Sequence, residues 1–174
     1  VTFATALPVG EESEAELMDV VLQEHREPAA LLASLQVMLP EGLNVYEVWE
    51  VDLRAPSLMA AQTGLEYALY TSLSFEETQK RLAVLQQRDA WPVERNVKSR
   101  QGGGPAPGRK TVMLDIRPMI SSIHAVPTET GGACIQYITK LHEGRLAKAR
   151  EVLELLNITP NQARILKTGT LLQQ

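Results

Sequence analysis

The chain has 174 residues, 44% of them hydrophobic, and a formal net charge of −4. This length can bury the core of one domain or of two small ones, and the composition excludes an intrinsically disordered chain. The single cysteine, Cys134, excludes an intrachain disulfide and a cysteine-rich zinc or iron–sulfur site. A lone cysteine suits a reducing compartment, so we expect a cytoplasmic protein. No apolar run approaches the roughly 18 residues of a membrane span, so we expect no membrane partner.

Charge is distributed unevenly along the chain. Residues 1–60 contain 11 of the 21 acidic residues but only 2 of the 17 basic residues. The remainder of the chain contains 10 acidic and 15 basic residues. An acidic first third and a mildly basic remainder indicate two surfaces that suit different partners, although ordinary solvated charge explains the same pattern.

The first 55 residues predict strands around one helix. Residues 1–6 and 14–23 are rich in β-branched and apolar side chains and flank a turn at 7–10, which indicates a hairpin. A helix is expected over Pro28–Leu39, because proline suits a first helical turn and leucines then recur at helical spacing. Its Leu31, Leu35 and Met38 are expected to be buried. Residues 43–53, LNVYEVWEVDL, alternate in a way that is typical of a strand with a face or edge in water.

The remaining residues alternate between strands and two helices. Strands are expected at 64–73, 92–98, 111–116, 121–126 and 133–141, with an edge strand at 164–172. One helix begins after Ser74, which has the spacing of a capping box with Glu77, and the other spans Leu146–Leu156. The side chains expected on their buried faces are Leu82, Val84 and Leu85 in the first helix and Val152, Leu153 and Leu156 in the second.

The order of these elements predicts an α+β fold. Residues 58–174 approximate a βαββαβ unit, and residues 1–55 resemble the same unit without its opening strand and helix. We therefore expect antiparallel sheets with helices on one face, arranged as tandem ferredoxin-like halves of which the first is incomplete. The glycine-rich segment Gly102–Gly108 is expected to be a mobile loop. It does not match a phosphate-binding P-loop, because Arg109 separates its last glycine from Lys110.

Three short motifs, taken together, resemble one bacterial family. They are ALPVG at 6–10 with the acids that follow it, LPEGL at 39–43, and DIRP at 115–118. The set resembles the radical-SAM-linked proteins of unknown function, which are fused to radical-SAM enzymes or encoded beside them. Members usually begin with a further strand, helix and histidine-containing segment before the first motif. The resemblance implies a cytosolic accessory of radical-SAM chemistry, connected with RNA or ribosome metabolism.

A basic set brackets the glycine-rich segment: Arg95, Lys98, Arg100, Arg109 and Lys110. Clustered positive charge beside a mobile loop suits contacts with an RNA backbone, whereas the alternative is a solvated hairpin tip. Asp115 and Arg117 lie two positions apart on a predicted strand and so share a face. They could hold a ligand phosphate or a partner carboxylate through the arginine, or form a structural ion pair or strand-end cap.

Other residues give weaker signals. Glu12, Glu14 and Glu16 alternate and could bind a cation, although solvent-facing acids are more common in such a turn. Four aromatic residues on two strands could stack RNA bases or pack in the core; they are Tyr46, Trp49, Tyr67 and Tyr70. The histidines lack metal-ligand spacing, and no nucleophile signature is present, so the sequence predicts no catalytic, metal or cofactor site.

Three functions remain open at this point. The first is a non-catalytic module that presents a radical-SAM enzyme with its substrate or partner. The second is an RNA-binding domain linked to tRNA or ribosome metabolism, which the net charge of −4 does not favour. The third, an enzyme acting on a small substrate, has the least support, and the sequence favours a protein that is not an enzyme.

Overall fold

The structure is a computed structural model that describes residues 1–98 and 109–173. Arg100 and the predicted mobile loop Gly102–Gly108 lie outside these residues. The strands are β1 Thr2–Phe3, β2 Glu12–Ser13, β3 Met18–Asp19, β4 Gln62–Thr71, β5 Pro92–Lys98, β6 Arg109–Asp115, β7 Ile120–Pro127, β8 Ala133–Lys140 and β9 Ala163–Leu172. The helices are α1 Pro28–Met38, α2 Leu58–Ala61, α3 Phe75–Gln86 and α4 Ala149–Leu155.

The largest sheet has five strands in the order β2-β9-β4-β8-β7. Its last four strands are antiparallel, and their connections through α3 and α4 give the order of a ferredoxin-like unit. The hairpin β5–β6 is inserted between α3 and β7. The α+β class predicted from the sequence is therefore confirmed.

The main core lies on the inner face of this sheet, which α3 and α4 cover. Leu69 and Ile135 on the sheet are fully buried together with Val152 and Leu153 of α4, as the helical spacing predicted. In α3 the Ser74 side chain accepts a hydrogen bond from the backbone N–H of Glu77 at 3.2 Å, which confirms the predicted N-cap. The same helix buries Leu82 and Leu85 but not Val84, because Val84 lies off the apolar stripe.

The first third of the chain differs from the expectation. Helix α1 forms where predicted, but it has no buried residue, and Met38 is 80% exposed. The strand predicted at 43–53 does not form, because within the described residues no strand lies beside it to complete a ladder. The predicted hairpin is reduced to the two residue pairs of β1 and β3.

β2 joins the first third to the main sheet. It pairs in parallel with β9, so Ser13 lies opposite Lys167. β9, which the sequence predicted as an edge strand, consequently has β4 on one side and the two-residue β2 on the other. The division of the chain at residues 55–58 into two ferredoxin-like halves stays a prediction. The first third forms the two-stranded sheet of β1 and β3 and supplies β2 to the sheet of the second half.

Truncation of Leu153 tests the inner core. Leu153 is fully buried, so Leu153→Ala should remove apolar contacts, leave a cavity and lower the free energy of unfolding by about 2–5 kcal/mol. Val84→Ala on the exposed side of α3 is the control and should change it by less than about 0.5 kcal/mol. Urea denaturation measures both, and equal effects of the two substitutions would contradict the position of the core.

Candidate functional site

Residues 20–57, here called the arm, carry an exposed apolar surface. None of these residues is buried. Ten of the 19 large hydrophobic side chains that are exposed in the described chain belong to the arm, including Tyr46 at 71% and Trp49 at 53% exposure. Scattered exposed apolar side chains are normal, but their concentration in one segment is typical of a protein–protein contact surface.

The arm is also acidic. It contains two arginines, Arg26 and Arg54, and six acids, which are Glu24, Glu27, Glu41, Glu47, Glu50 and Asp52. Among the residues that the structure describes, none of these six carboxylates pairs with a lysine or an arginine. The arm therefore presents negative charge and apolar side chains together, which suits a partner with a basic and apolar surface.

The backbone of residues 44–51 has few internal partners. Gly42, with φ of 90°, and a hydrogen bond from the Leu43 N–H to the Pro40 carbonyl form the turn before it. In the described parts of the chain, the one hydrogen bond to this backbone comes from the Gln36 side chain of α1, whose Nε2 donates to the Val45 carbonyl at 3.2 Å. Most peptide groups of this segment are therefore free to bind another molecule.

Residues 6–16, here called the strap, run alongside β9 and reach the first turn of α4, where basic side chains contact them. Glu11 lies 3.8 Å from Arg150 on α4, while Glu12 binds Arg164 on β9 at 2.7 Å. Glu16 lies 2.6 Å from Lys167 on β9. Glu12 is solvent-facing, as one of the alternatives raised by the sequence has it, and it is also paired with Arg164, whereas Glu16 is partly buried against Lys167.

Lys167 is the buried centre of this contact. Its side chain is 2% exposed, and it lies on the inner face beside Tyr67, which in turn lies beside Tyr137. The two tyrosine rings stack with centroids 5.1 Å apart, so Tyr67 packs in the core and is unavailable for stacking bases. The 2.6 Å contact to Glu16 is too bent for a hydrogen bond, and the Lys167 Nζ and the Tyr137 hydroxyl have no hydrogen-bond partner among the described atoms.

Burial and nearby acids raise the pKa values of the two stacked tyrosines. Burial raises the pKa of Tyr67, and the charges of Glu11 and Glu16 raise it further. Burial likewise raises the pKa of Tyr137 well above its usual value. Both phenols therefore stay protonated at neutral pH and serve as neutral groups that pack against the ion pair.

Sequence reasoning missed Lys167 and Tyr137 as members of this cluster. A signal was present: Ile165 and Lys167 are two apart on a strand, so the lysine shares the buried face of the isoleucine. The counter-ion could not be identified in the same way, because Glu16 is far away in the sequence and reaches β9 through the pairing of β2.

The structure separates the members of the predicted basic set. Arg95 is not an open basic group: its guanidinium binds both carboxylate oxygens of the buried Glu151 at 2.5 and 2.6 Å and donates to the Leu146 carbonyl. Lys98 and Arg109 lie opposite each other in the backbone register, at the end of β5 and the start of β6. Lys110 lies opposite Val97, one position further along the hairpin. Arg100 lies outside the described residues, so the basic set as an RNA-binding group stays a prediction.

Asp115 and Arg117 do not form an ion pair or share a strand. β6 ends at Asp115, and Arg117 begins a short 3-10 turn. The Asp115 Oδ1 accepts hydrogen bonds from the backbone N–H groups of Trp91 and Arg117, while the Arg117 side chain donates to the Asp89 carbonyl at 2.8 Å. Of the alternatives raised by the sequence, the geometry matches the strand-end cap, and partner binding by this pair stays a prediction.

The outer face of the sheet contains an open concavity of about 660 Å³. Tyr70, Cys134 and Gln136 line it together with the β7–β8 turn, and neither a histidine nor Arg117 is part of its lining. Burial raises the pKa of the Cys134 thiol, which keeps it in the unreactive thiol form. Within residues 1–98 and 109–173 no group of three or more histidine, cysteine, aspartate or glutamate side chains could hold a metal ion.

The fold and these surfaces define a ferredoxin-like α+β protein that carries an acidic, apolar arm. The sequence profile of DUF2344, described as an uncharacterized protein conserved in bacteria, matches residues 1–151, and the chain belongs to this family. No curated protein and no solved structure matches the chain. Among the described helices, none has both the length and the apolar composition needed to cross a membrane.

Removal of the Glu16 charge tests the buried ion pair. Glu16→Gln should leave the Lys167 charge buried without a counter-ion and lower the free energy of unfolding by about 3 kcal/mol, the lower end for buried pairs because Glu16 is 27% exposed. Lys167→Met should cost less, since the remaining carboxylate can turn towards water. Glu14→Gln is the matched control on the strap. If Glu16→Gln lowers the free energy of unfolding no more than this control does, Lys167 is solvated.

Glu11 should make stability depend on pH. Burial raises the pKa of the Glu11 carboxyl above its usual 4.5 and outweighs the opposing effects of Arg150 and Lys148. The folded state therefore prefers the protonated form, and this contribution is present below pH 4.5 and is lost as the pH rises through the raised pKa. Glu11→Gln should become progressively more stable than the wild type as the pH increases towards 7.

The neighbouring strap acid provides the control of opposite sign. A hydrogen bond from Arg164 lowers the pKa of Glu12, so its contribution is lost as the pH falls. Thermal unfolding of the wild type, Glu11→Gln and Glu12→Gln across this pH range measures both slopes. Parallel slopes for the two variants would contradict the opposite environments of the two carboxyls.

Proposed function

We propose that this protein is a non-catalytic interaction module that works with a radical-SAM enzyme in the cytoplasm and presents it with a substrate or partner. The observation that carries the proposal is the arm. It combines exposed apolar side chains, acids that pair with no lysine or arginine in the described structure, and a segment, 44–51, with little backbone hydrogen bonding. When a partner covers a segment of this composition, the free energy falls, because apolar surface is removed from water.

The ferredoxin-like unit supplies a rigid base for the arm. The unit buries its own apolar side chains between the sheet and the helices α3 and α4, and Glu151 and Asp115 satisfy neighbouring donors. The arm lies outside this core, so a partner can cover it without unfolding the unit. The choice of a radical-SAM enzyme as the partner rests on the resemblance of the three sequence motifs, one of which, LPEGL at 39–43, lies in the arm.

RNA binding is the competing hypothesis, and the structure reduces its support. Arg95 is committed to Glu151, and the arm adds negative charge that would repel a phosphate backbone. Binding to tRNA that weakens with salt and is lost in an Arg109→Ala/Lys110→Ala variant would favour this alternative over the accessory function.

The test is complex formation with the radical-SAM protein, fused or neighbouring, that the family resemblance implies. A Trp49→Ser/Leu53→Ser variant should weaken binding by at least about tenfold, because exposed aromatic anchors dominate many interfaces. Val84→Ser/Met113→Ser, also at exposed positions but outside the arm, is the control and should bind within about twofold of the wild type.

Calorimetry or biolayer interferometry measures the affinities, and unfolding curves check that both variants are folded. Absence of a wild-type complex at micromolar concentrations would contradict the proposed partner. Equal affinities of the wild type and the arm variant would show that the arm is not the binding surface.

A further inference from the structure

We infer that residues 43–51 bind the radical-SAM partner by adding a strand to an exposed edge of one of its sheets, beside basic side chains. This inference rests on the proposed function and specifies how the arm recognises its partner. It follows from a disagreement between the local sequence and its surroundings. The segment LNVYEVWEV is rich in β-branched and aromatic residues and alternates as strands do, yet it forms no strand in the structure.

The missing component is a neighbouring strand. Local sequence preference and global structure agree in β4, α3 and α4, and even the predicted hairpin at the start of the chain keeps two residue pairs, whereas 43–51 has no strand pairing in the described structure. The outer edges of the main sheet are β2 and β7, and among the described pairings the segment joins neither of them. A strand supplied by another molecule would satisfy the local preference.

The state of the backbone supports this mode of binding. Strand addition derives its affinity from main-chain hydrogen bonds, which require free N–H and C=O groups on the incoming segment. From Asn44 to Val51, the Val45 carbonyl is the one backbone group with a hydrogen-bond partner in the described structure. That bond comes from Gln36 of α1 and fixes the beginning of the segment against the helix, which leaves the remaining residues free.

The charges of the segment indicate the chemistry of the partner edge. Alternation places Glu47 on the face of Val45 and Trp49, and Glu50 on the face of Tyr46 and Val48. Each face of the added strand would therefore combine apolar side chains with one carboxylate. A matching edge carries apolar side chains with a lysine or arginine near each acid, since opposite charges on paired strands attract and like charges repel.

Proline substitutions distinguish strand addition from side-chain docking. In a strand that pairs along one side, successive N–H groups point alternately towards the partner and away from it. We therefore expect one of Glu47→Pro and Val48→Pro to weaken binding more than tenfold and the other much less, because proline lacks the N–H donor. Glu47→Ala and Val48→Ala are the matched controls, and each should weaken binding less than the damaging proline does.

A second pair of variants tests the charge. Glu47→Gln/Glu50→Gln should slow association several-fold and reduce its salt dependence, whereas Glu24→Gln/Glu27→Gln, elsewhere in the arm, should leave both within about twofold. All variants are measured in the full chain against the same radical-SAM protein, with circular dichroism as the check of folding.

The outcomes separate this inference from the function on which it rests. If Trp49→Ser/Leu53→Ser abolishes binding but both prolines behave like their alanine controls, or both are equally damaging, the arm is the interface and strand addition is wrong. If the chain alone is a dimer by light scattering and the damaging proline dissociates it, the partner edge belongs to a second copy, and the assigned partner is wrong. Absence of a wild-type complex overturns both proposals.

Discussion

The buried charge of Lys167 is the constraint on which the arrangement of the first third depends. An ammonium group inside an apolar face is stable only beside an opposite charge, and Glu16 of the strap supplies it from outside the ferredoxin-like unit. The strap must therefore lie alongside β9, and its position allows β2 to pair in parallel with the same strand. Arg150, which donates to the Val9 carbonyl, and Arg164, which binds Glu12, hold the part of the strap that precedes Glu16 and tie it to the sheet and α4.

The sheet unit and the arm differ in how far their apolar side chains are buried and in how many partners their charged groups have. The sheet, α3 and α4 enclose one core, and buried charges such as Glu151 have several partners. In the arm, by contrast, apolar side chains, carboxylates and peptide groups face solvent together. Because both regions belong to one chain, this contrast places the stabilising contacts in the sheet and supports the proposal that the arm serves recognition.

The parts of the fold that depend on local signals could be predicted from the sequence. Ser74 predicts the start of α3, and the spacing of Val152, Leu153 and Leu156 predicts the buried face of α4. Both patterns lie within a few residues of the chain. The strand at 43–53 was predicted wrongly because a strand also needs a neighbour, which local sequence does not reveal. Arg95 and Lys167 could not be assigned for a similar reason: their counter-ions, Glu151 and Glu16, are distant in sequence and are brought near by the fold.

The exposure of the arm also bears on the lifetime of the protein. Proteases and chaperones bind segments with accessible backbone and apolar side chains, and residues 43–53 present both in the isolated chain. A partner that covers the arm would hide this segment, whereas a chain made in excess of its partner would keep it accessible. If the arm is the binding surface that we propose, the same surface would mark the unassembled chain for degradation and link the amount of this protein in the cell to the amount of its partner.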